Sequence, residues 1–136
     1  MHSRFENMNL AILDLAWQAD WNATLGWSLV IAGFVWGAVL GLGFHDEDYL
    51  GGYPSFRRRL LRLGHVACVA LGAFNVFWST LTLDASAVAW GGCAWALGGV
   101  LMPTVCALSA WRSRFRHLFF LPVLGVLLGA VNGLLQ

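Results

Sequence analysis

Four long apolar segments dominate the chain and alternate with short polar ones. A helix needs about 20 mostly apolar residues to cross the hydrocarbon core of a bilayer. The four segments suit that length, and none shows the sustained alternation of apolar and polar positions that is typical of a strand. The pattern therefore predicts four transmembrane helices, over residues 22–44, 60–83, 85–111 and 118–135.

Residues 1–20 have a different pattern. Apolar residues recur there at steps of three and four positions: Phe5, Met8, Ile12, Leu15 and Ala19. This spacing predicts an amphipathic helix, and the tryptophans that follow suit a membrane–water boundary. We expect the segment to lie on the membrane surface. A basic stretch followed by an apolar core and a cleavage site is missing, so no signal peptide is expected.

Together these elements predict an all-α integral membrane protein. Residues 21–136 would form one transmembrane domain of four helices, arranged as two antiparallel hairpins and preceded by the N-terminal interfacial helix. The link between the second and third helices is very short, which predicts a tight turn. Thr82 or Asp84 is expected to cap the third helix by accepting from its free amides.

Composition supports lipid as the solvent of this chain. It is 59% hydrophobic and 11% charged, whereas a soluble domain carries about 25% charged residues. The three cysteines all lie in apolar runs and are odd in number, which argues against a disulfide framework. We expect them to behave as small buried apolar residues.

The basic residues predict the orientation of the chain. All eight are arginines, and the loops 45–59 and 112–117, with the first turn of the second helix, hold seven of them: Arg57, Arg58, Arg59, Arg62, Arg112, Arg114 and Arg116. An excess of arginine marks the cytoplasmic side. Both loops are therefore expected in the cytoplasm and both termini on the outer, periplasmic side of a bacterial inner membrane.

The same arginines carry a second expectation. Next to an anionic leaflet, such a cluster is typical of contact with lipid or with a partner protein. We assign this role to Arg57, Arg58, Arg59, Arg112, Arg114 and Arg116. Because so little of the chain lies outside the apolar segments, nucleic acid is not expected as a partner.

Each predicted span carries a stripe of small or polar residues, which allows helix backbones to approach closely. The helix-packing residues assigned from these stripes are Gly33, Gly37, Gly41, Gly72, Asn75, Gly125, Gly129 and Asn132. Asn75 is predicted near the middle of the membrane, on the same face of the second helix as His65. A buried amide needs hydrogen-bond partners, so we expect a carbonyl or a side chain of another helix beside it.

Three histidines, His45, His65 and His117, are predicted at similar depth near the arginine-rich side. One interpretation makes each an interface residue that bonds a carbonyl, a lipid phosphate or a nearby carboxylate. A second is a b-type haem held by His65 with His45 or His117 as axial ligands, its propionates paired with Arg58 and Arg62. A third is a quinone held by His65, Arg62 and an acidic residue. A metal at residues 45–48 is disfavoured because their spacing matches no established motif.

The sequence shows no Ser/His/Asp set, phosphate-binding loop or paired intramembrane carboxylates, so an enzyme is not expected. We expect a small, non-catalytic accessory subunit of a larger bacterial inner-membrane complex, with an electron-transfer assembly, respiratory or photosynthetic, as the favoured setting and no cofactor of its own. The first alternative is a haem b electron carrier that uses His65. The second is a small homo-oligomeric channel or carrier, although no span has the mid-depth charge that a coupled carrier needs.

Overall fold

The computed structural model describes residues 2–81 and 85–135, with side chains for 21–81 and 89–135. Its four main helices are α1 (His2–Leu42), α2 (Phe56–Ser79), α3 (Ala85–Trp111) and α4 (Phe120–Leu134). Short 3-10 helices occur at Gly43–His45, Tyr49–Gly51 and Ser113–Phe119. The prediction of an all-helical chain is confirmed. Four helical stretches are long and apolar enough to cross a membrane: Trp21–His45, Phe56–Ser79, Ala89–Trp111 and Ser113–Leu134.

The second span lies four residues earlier at each end than the sequence predicted. It begins at Phe56 because Ser55 caps it, with the Ser55 hydroxyl accepting from the Arg58 amide at 3.2 Å. It ends at Ser79, where the Thr80 amide donates to the Phe77 carbonyl at 3.0 Å and closes a tighter last turn. The predicted caps Thr82 and Asp84 lie outside the described residues.

The first helix is longer than the first predicted span. A single helix runs from His2 to Leu42, so residues 2–20 continue directly into the span instead of forming a separate element. Their location on the membrane surface stays a prediction.

Helix α3 forms the centre of the molecule. It packs against α1, α2 and α4, while α1 also packs along α2. In its most apolar window 44% is buried inside the chain, against 17% in the spans of α1 and α4. Leu71, Trp78 and Trp95 form the hydrophobic core between α2 and α3.

Backbone-to-backbone approach holds the helix pairs together. A methyl group at Gly72 would lie 2.8 Å from the Gly26 carbonyl oxygen and 2.9 Å from the Val30 nitrogen. Likewise, a methyl group at Gly125 would lie 3.2 Å from the Gly98 nitrogen. Such close contact lets dispersion forces replace the hydrophobic driving force that is missing between helices in lipid.

Candidate functional site

Two buried amides form a polar cluster at one end of the bundle. Asn22 is 2% exposed and Asn75 is 0% exposed. The Asn22 side-chain amide donates to the Asn75 side-chain oxygen at 2.9 Å and to the Gly92 carbonyl at 3.1 Å. These bonds join α1 to both α2 and α3.

The Asn75 amide completes the cluster. It donates to the Leu71 carbonyl one turn back at 2.9 Å and to the Trp95 carbonyl of α3 at 3.1 Å. Because each side-chain amide has two N–H donors, all four donors are used inside the chain. We call Asn22, Asn75 and the carbonyls of Leu71, Gly92 and Trp95 the asparagine cluster.

The sequence led to Asn75 but not to its partner. The sequence pattern did not indicate Asn22 as a buried polar residue, because Asn22 lies at the edge of an apolar segment. The predicted depth of Asn22 could have indicated the pair. In two antiparallel spans, an amide at the start of one and an amide near the end of the next lie at the same level and can meet. Asn75 lies one turn before the end of α2, closer to that end than the predicted span implied, because α2 ends at Ser79. Its depth in the membrane stays a prediction.

A groove of about 440 Å³ adjoins this cluster between α2 and α4. Trp95 lines it and stacks on Phe74, with ring centroids 5.0 Å apart. Within the described part of the chain, the buried Trp95 Nε1 and Asn132 Oδ1 atoms have no hydrogen-bond partner. Asn132 lies beside Gly91 of α3, since a methyl group there would be 2.8 Å from Asn132 Oδ1.

Most of the glycines assigned to packing face another element. Gly33 faces Val69, Gly72 faces Gly26, and Gly129 faces the Trp95 indole. Gly41 differs, because no atom of another element in the described structure lies within 4 Å of the position a methyl group would take there.

A second polar cluster lies between the end of the first apolar span and the beginning of the second. The Arg58 guanidinium is over the Phe44 ring at 4.6 Å and near the Tyr53 ring at 5.6 Å. The Arg62 guanidinium, one turn further along α2, also lies over the Tyr53 ring, at 4.6 Å. A cation over an aromatic face is attracted by the ring quadrupole. We call these four residues the arginine–aromatic cluster.

Charge from α2 also changes the chemistry of Tyr53. A hydrogen bond with Arg62 is the largest influence, followed by the positive charge of Arg62, and together they lower the pKa of the Tyr53 phenol below its ordinary value. Partial desolvation opposes the shift, and the charge of Arg58 adds to it. Tyr53 is 68% exposed, so solvent screens these interactions.

A turn of unusual backbone conformation brings this cluster together. Leu50, Gly51 and Gly52 have φ angles of 59°, 88° and 81°. Glycine adopts this region readily, whereas leucine rarely does. The Ser55 hydroxyl donates to the Leu50 carbonyl at 2.8 Å and so holds the strained residue. The sequence indicated a turn and a cap here, but not the ring contacts that they produce.

The other arginines are placed differently. The side chains of five of them are exposed: Arg57, Arg59, Arg112, Arg114 and Arg116. Their contact with lipid or a partner stays a prediction.

The three histidines differ in their surroundings. His65 is partly buried, with its imidazole against Gly37 of α1. His45 and His117 are exposed, in the 3-10 helices that follow α1 and precede α4. Among the described residues, no group of three His, Cys, Asp or Glu side chains is arranged to hold a metal ion. Ligation of a haem or a quinone by His65 stays a hypothesis.

Comparison with known proteins gives no relative. No family model, no curated protein and no solved structure matches the chain. Its function is therefore argued from its own residues.

Proposed function

We propose that the chain is a small, non-catalytic structural subunit that packs within a larger membrane assembly. The observation that carries the proposal is the asparagine cluster. Three of its four amide hydrogen bonds link α1, α2 and α3, and the fourth lies within α2. Hydrogen bonds of this kind hold transmembrane helices in register, so these two buried amides serve the bundle and not a substrate.

The outer helices support the same proposal. Large side chains on α1 and α4 face away from the bundle, among them Phe34 at 64% and Leu128 at 57% exposure. Surfaces of this kind can be covered by acyl chains or by the spans of other subunits. The spans of α1 and α4 are only 17% buried in their apolar windows. They therefore leave ample surface for contact with both lipid and other subunits.

The proposed setting is the inner membrane of a bacterium. The helices would form two antiparallel hairpins with both termini on the periplasmic side, and residues 1–20 would lie on that surface. The arginine-rich loops 45–59 and 112–117 would face the cytoplasm, as the distribution of positive charge favours. His45, His65 and His117, which are predicted near the arginine-rich side of the membrane, favour an electron-transfer complex as the assembly.

Co-purification tests the proposal. The chain, tagged at its C-terminus and produced at native level, is extracted in a mild detergent and separated by native electrophoresis. We expect it to migrate with other integral membrane proteins in fixed stoichiometry. Migration alone would contradict the proposal, and migration only with copies of itself would favour the homo-oligomeric channel or carrier instead.

The haem carrier makes a separate prediction. If His65 ligated a b-type haem, the purified protein would show a haem band in a reduced-minus-oxidised visible spectrum. A structural subunit without a cofactor would show none.

A further inference from the structure

A cavity of about 550 Å³ adjoins the arginine–aromatic cluster. It is lined by the Phe44 and Tyr53 rings, by the Arg58 side chain, and by Glu47 and Asp48 of the loop. The cavity therefore carries one guanidinium and two carboxylates, on walls that are partly aromatic.

Arg58 is the group in this cavity that needs an external partner. Its side chain is only 6% exposed, and its Nε atom has no hydrogen-bond partner in the part of the chain that the structure describes. A guanidinium stays charged in proteins, and a buried charge is costly unless it is paired. Its planar set of donors matches the oxygens of a phosphate, which it can bind through two parallel hydrogen bonds.

The two carboxylates restrict which phosphate fits. Glu47 and Asp48 are exposed on the cavity wall, where they would repel a ligand that carried only negative charge. A ligand with both a phosphate and an ammonium group has a partner for each side. A primary ammonium also donates hydrogen bonds to carboxylates, which a trimethylammonium group cannot do.

The position of the cavity indicates that the ligand comes from the bilayer. Phe44 is next to the last residue of the first apolar span, and Arg58 is the third residue of the second. Phe44, Tyr53 and Phe56 are 45%, 68% and 51% exposed, as suits aromatic rings at a membrane–water boundary. At this level the polar headgroups of lipids are the most abundant phosphates.

We propose that this cavity binds the headgroup of phosphatidylethanolamine, with its phosphate on Arg58 and its ammonium group on Glu47 and Asp48. Arg62 holds Tyr53 in place beside the phosphate position. The site is independent of the proposed subunit role, because a single chain contains all of it.

Lipid retention measured by native mass spectrometry tests the proposal. The purified chain is mixed with phosphatidylethanolamine, phosphatidylglycerol or phosphatidylcholine of identical acyl chains. We expect phosphatidylethanolamine to be retained about tenfold more strongly than the other two, as loss of one charge-assisted hydrogen bond implies. Equal retention of all three lipids would overturn the proposal. So would equal retention of free phosphoethanolamine, because the ligand would then not be a lipid.

Two variants assign the two halves of the headgroup. R58M removes the phosphate partner and should weaken retention of phosphatidylethanolamine and phosphatidylglycerol alike, by about tenfold. The double variant E47Q/D48N removes the ammonium partners and should abolish only the preference between these two lipids. Wild-type retention of the two lipids by R58M, or a wild-type preference between them in E47Q/D48N, would overturn the assignment.

The matched control is R114M, which removes an exposed arginine that does not line the cavity. We expect it to retain each lipid as strongly as the wild-type chain does and to keep the wild-type preference. If R58M fails to fold, as its circular dichroism would show, the double variant still decides, because both of its substituted side chains are exposed.

Discussion

The asparagine cluster and the arginine–aromatic cluster differ in whether their buried polar groups have hydrogen-bond partners inside the chain. In the first, every amide donor has an acceptor inside the chain. In the second, Arg58 is nearly as buried but is surrounded by rings, and its Nε atom lacks a partner among the described residues. One cluster is complete in the isolated chain, and the other is completed only by a molecule from outside.

This difference separates what holds the bundle together from what the bundle contacts. Neutral amides can be satisfied by carbonyls of neighbouring helices, and they then act as fixed links. A guanidinium at the edge of the membrane has a counterion available in the headgroup layer, so it does not need one in the protein. The predictions below aim to break the first cluster and to sharpen the contrast with the second.

The largest effect is expected from Gly72→Leu. The new side chain would collide with the Gly26 carbonyl and the Val30 nitrogen, which belong to the backbone of α1 and cannot move aside. We expect the free energy of unfolding to fall by about 3 kcal/mol, measured by titrating a denaturing detergent into mixed micelles. Gly41→Leu is the control, since its side chain would enter open space. Equal losses in both variants would contradict the observed helix contact.

A smaller loss is expected from Asn75→Leu, which removes the hydrogen bonds to Asn22, Leu71 and Trp95. We expect the free energy of unfolding to fall by about 2 kcal/mol. With Asn22→Leu and the double variant, the same titration gives the coupling between the two amides. Thr104→Val is the matched control, because Thr104 is exposed and bonds only within its own helix. Strict additivity of the two single variants would contradict the cluster.

His65→Leu should cost less than either change. Leucine can fill the space against Gly37, so we expect a loss of about 1 kcal/mol or less and an unchanged visible spectrum. Loss of a haem band in this variant would show that His65 is a cofactor ligand.

The smallest effect concerns Tyr53 in the second cluster. Because Arg62 lowers its pKa, a larger fraction of Tyr53 should be phenolate at a given alkaline pH than for an ordinary tyrosine. Arg62→Gln should raise the pKa and shift the tyrosinate absorbance to higher pH. Tyr53→Phe leaves Tyr49 as the only other tyrosine and so supplies the reference curve. Identical titrations with and without Arg62 would contradict this contact.

The sequence was sufficient for the four spans because length and apolar composition decide them. The sequence-based prediction was less accurate at the ends of α2. Hydrogen bonds at Ser55 and Thr80 determine where this helix begins and ends, whereas the apolar run in the sequence continues past Ser79. The pairing of Asn22 with Asn75 depends on how α1 and α2 are rotated against each other, which a one-dimensional pattern does not fix.

The sequence could not predict the arginine–aromatic cluster, for a different reason. Arg58 was predicted at a polar rim, but its position between two rings depends on a turn with a leucine at positive φ. The histidines show the limit of an argument from depth. His45, His65 and His117 lie near the same predicted membrane level, yet only His65 is partly buried.

The most direct test of the central claim, that this chain is a structural subunit, is photo-crosslinking in the native membrane. A photoreactive residue is placed at Leu124 or Leu128 on the exposed face of α4, with Cys106, which is 0% exposed, as the internal control. We predict adducts with another integral membrane protein from the two exposed positions and none from the control. Adducts confined to lipid, or to a second copy of the chain, would contradict the claim.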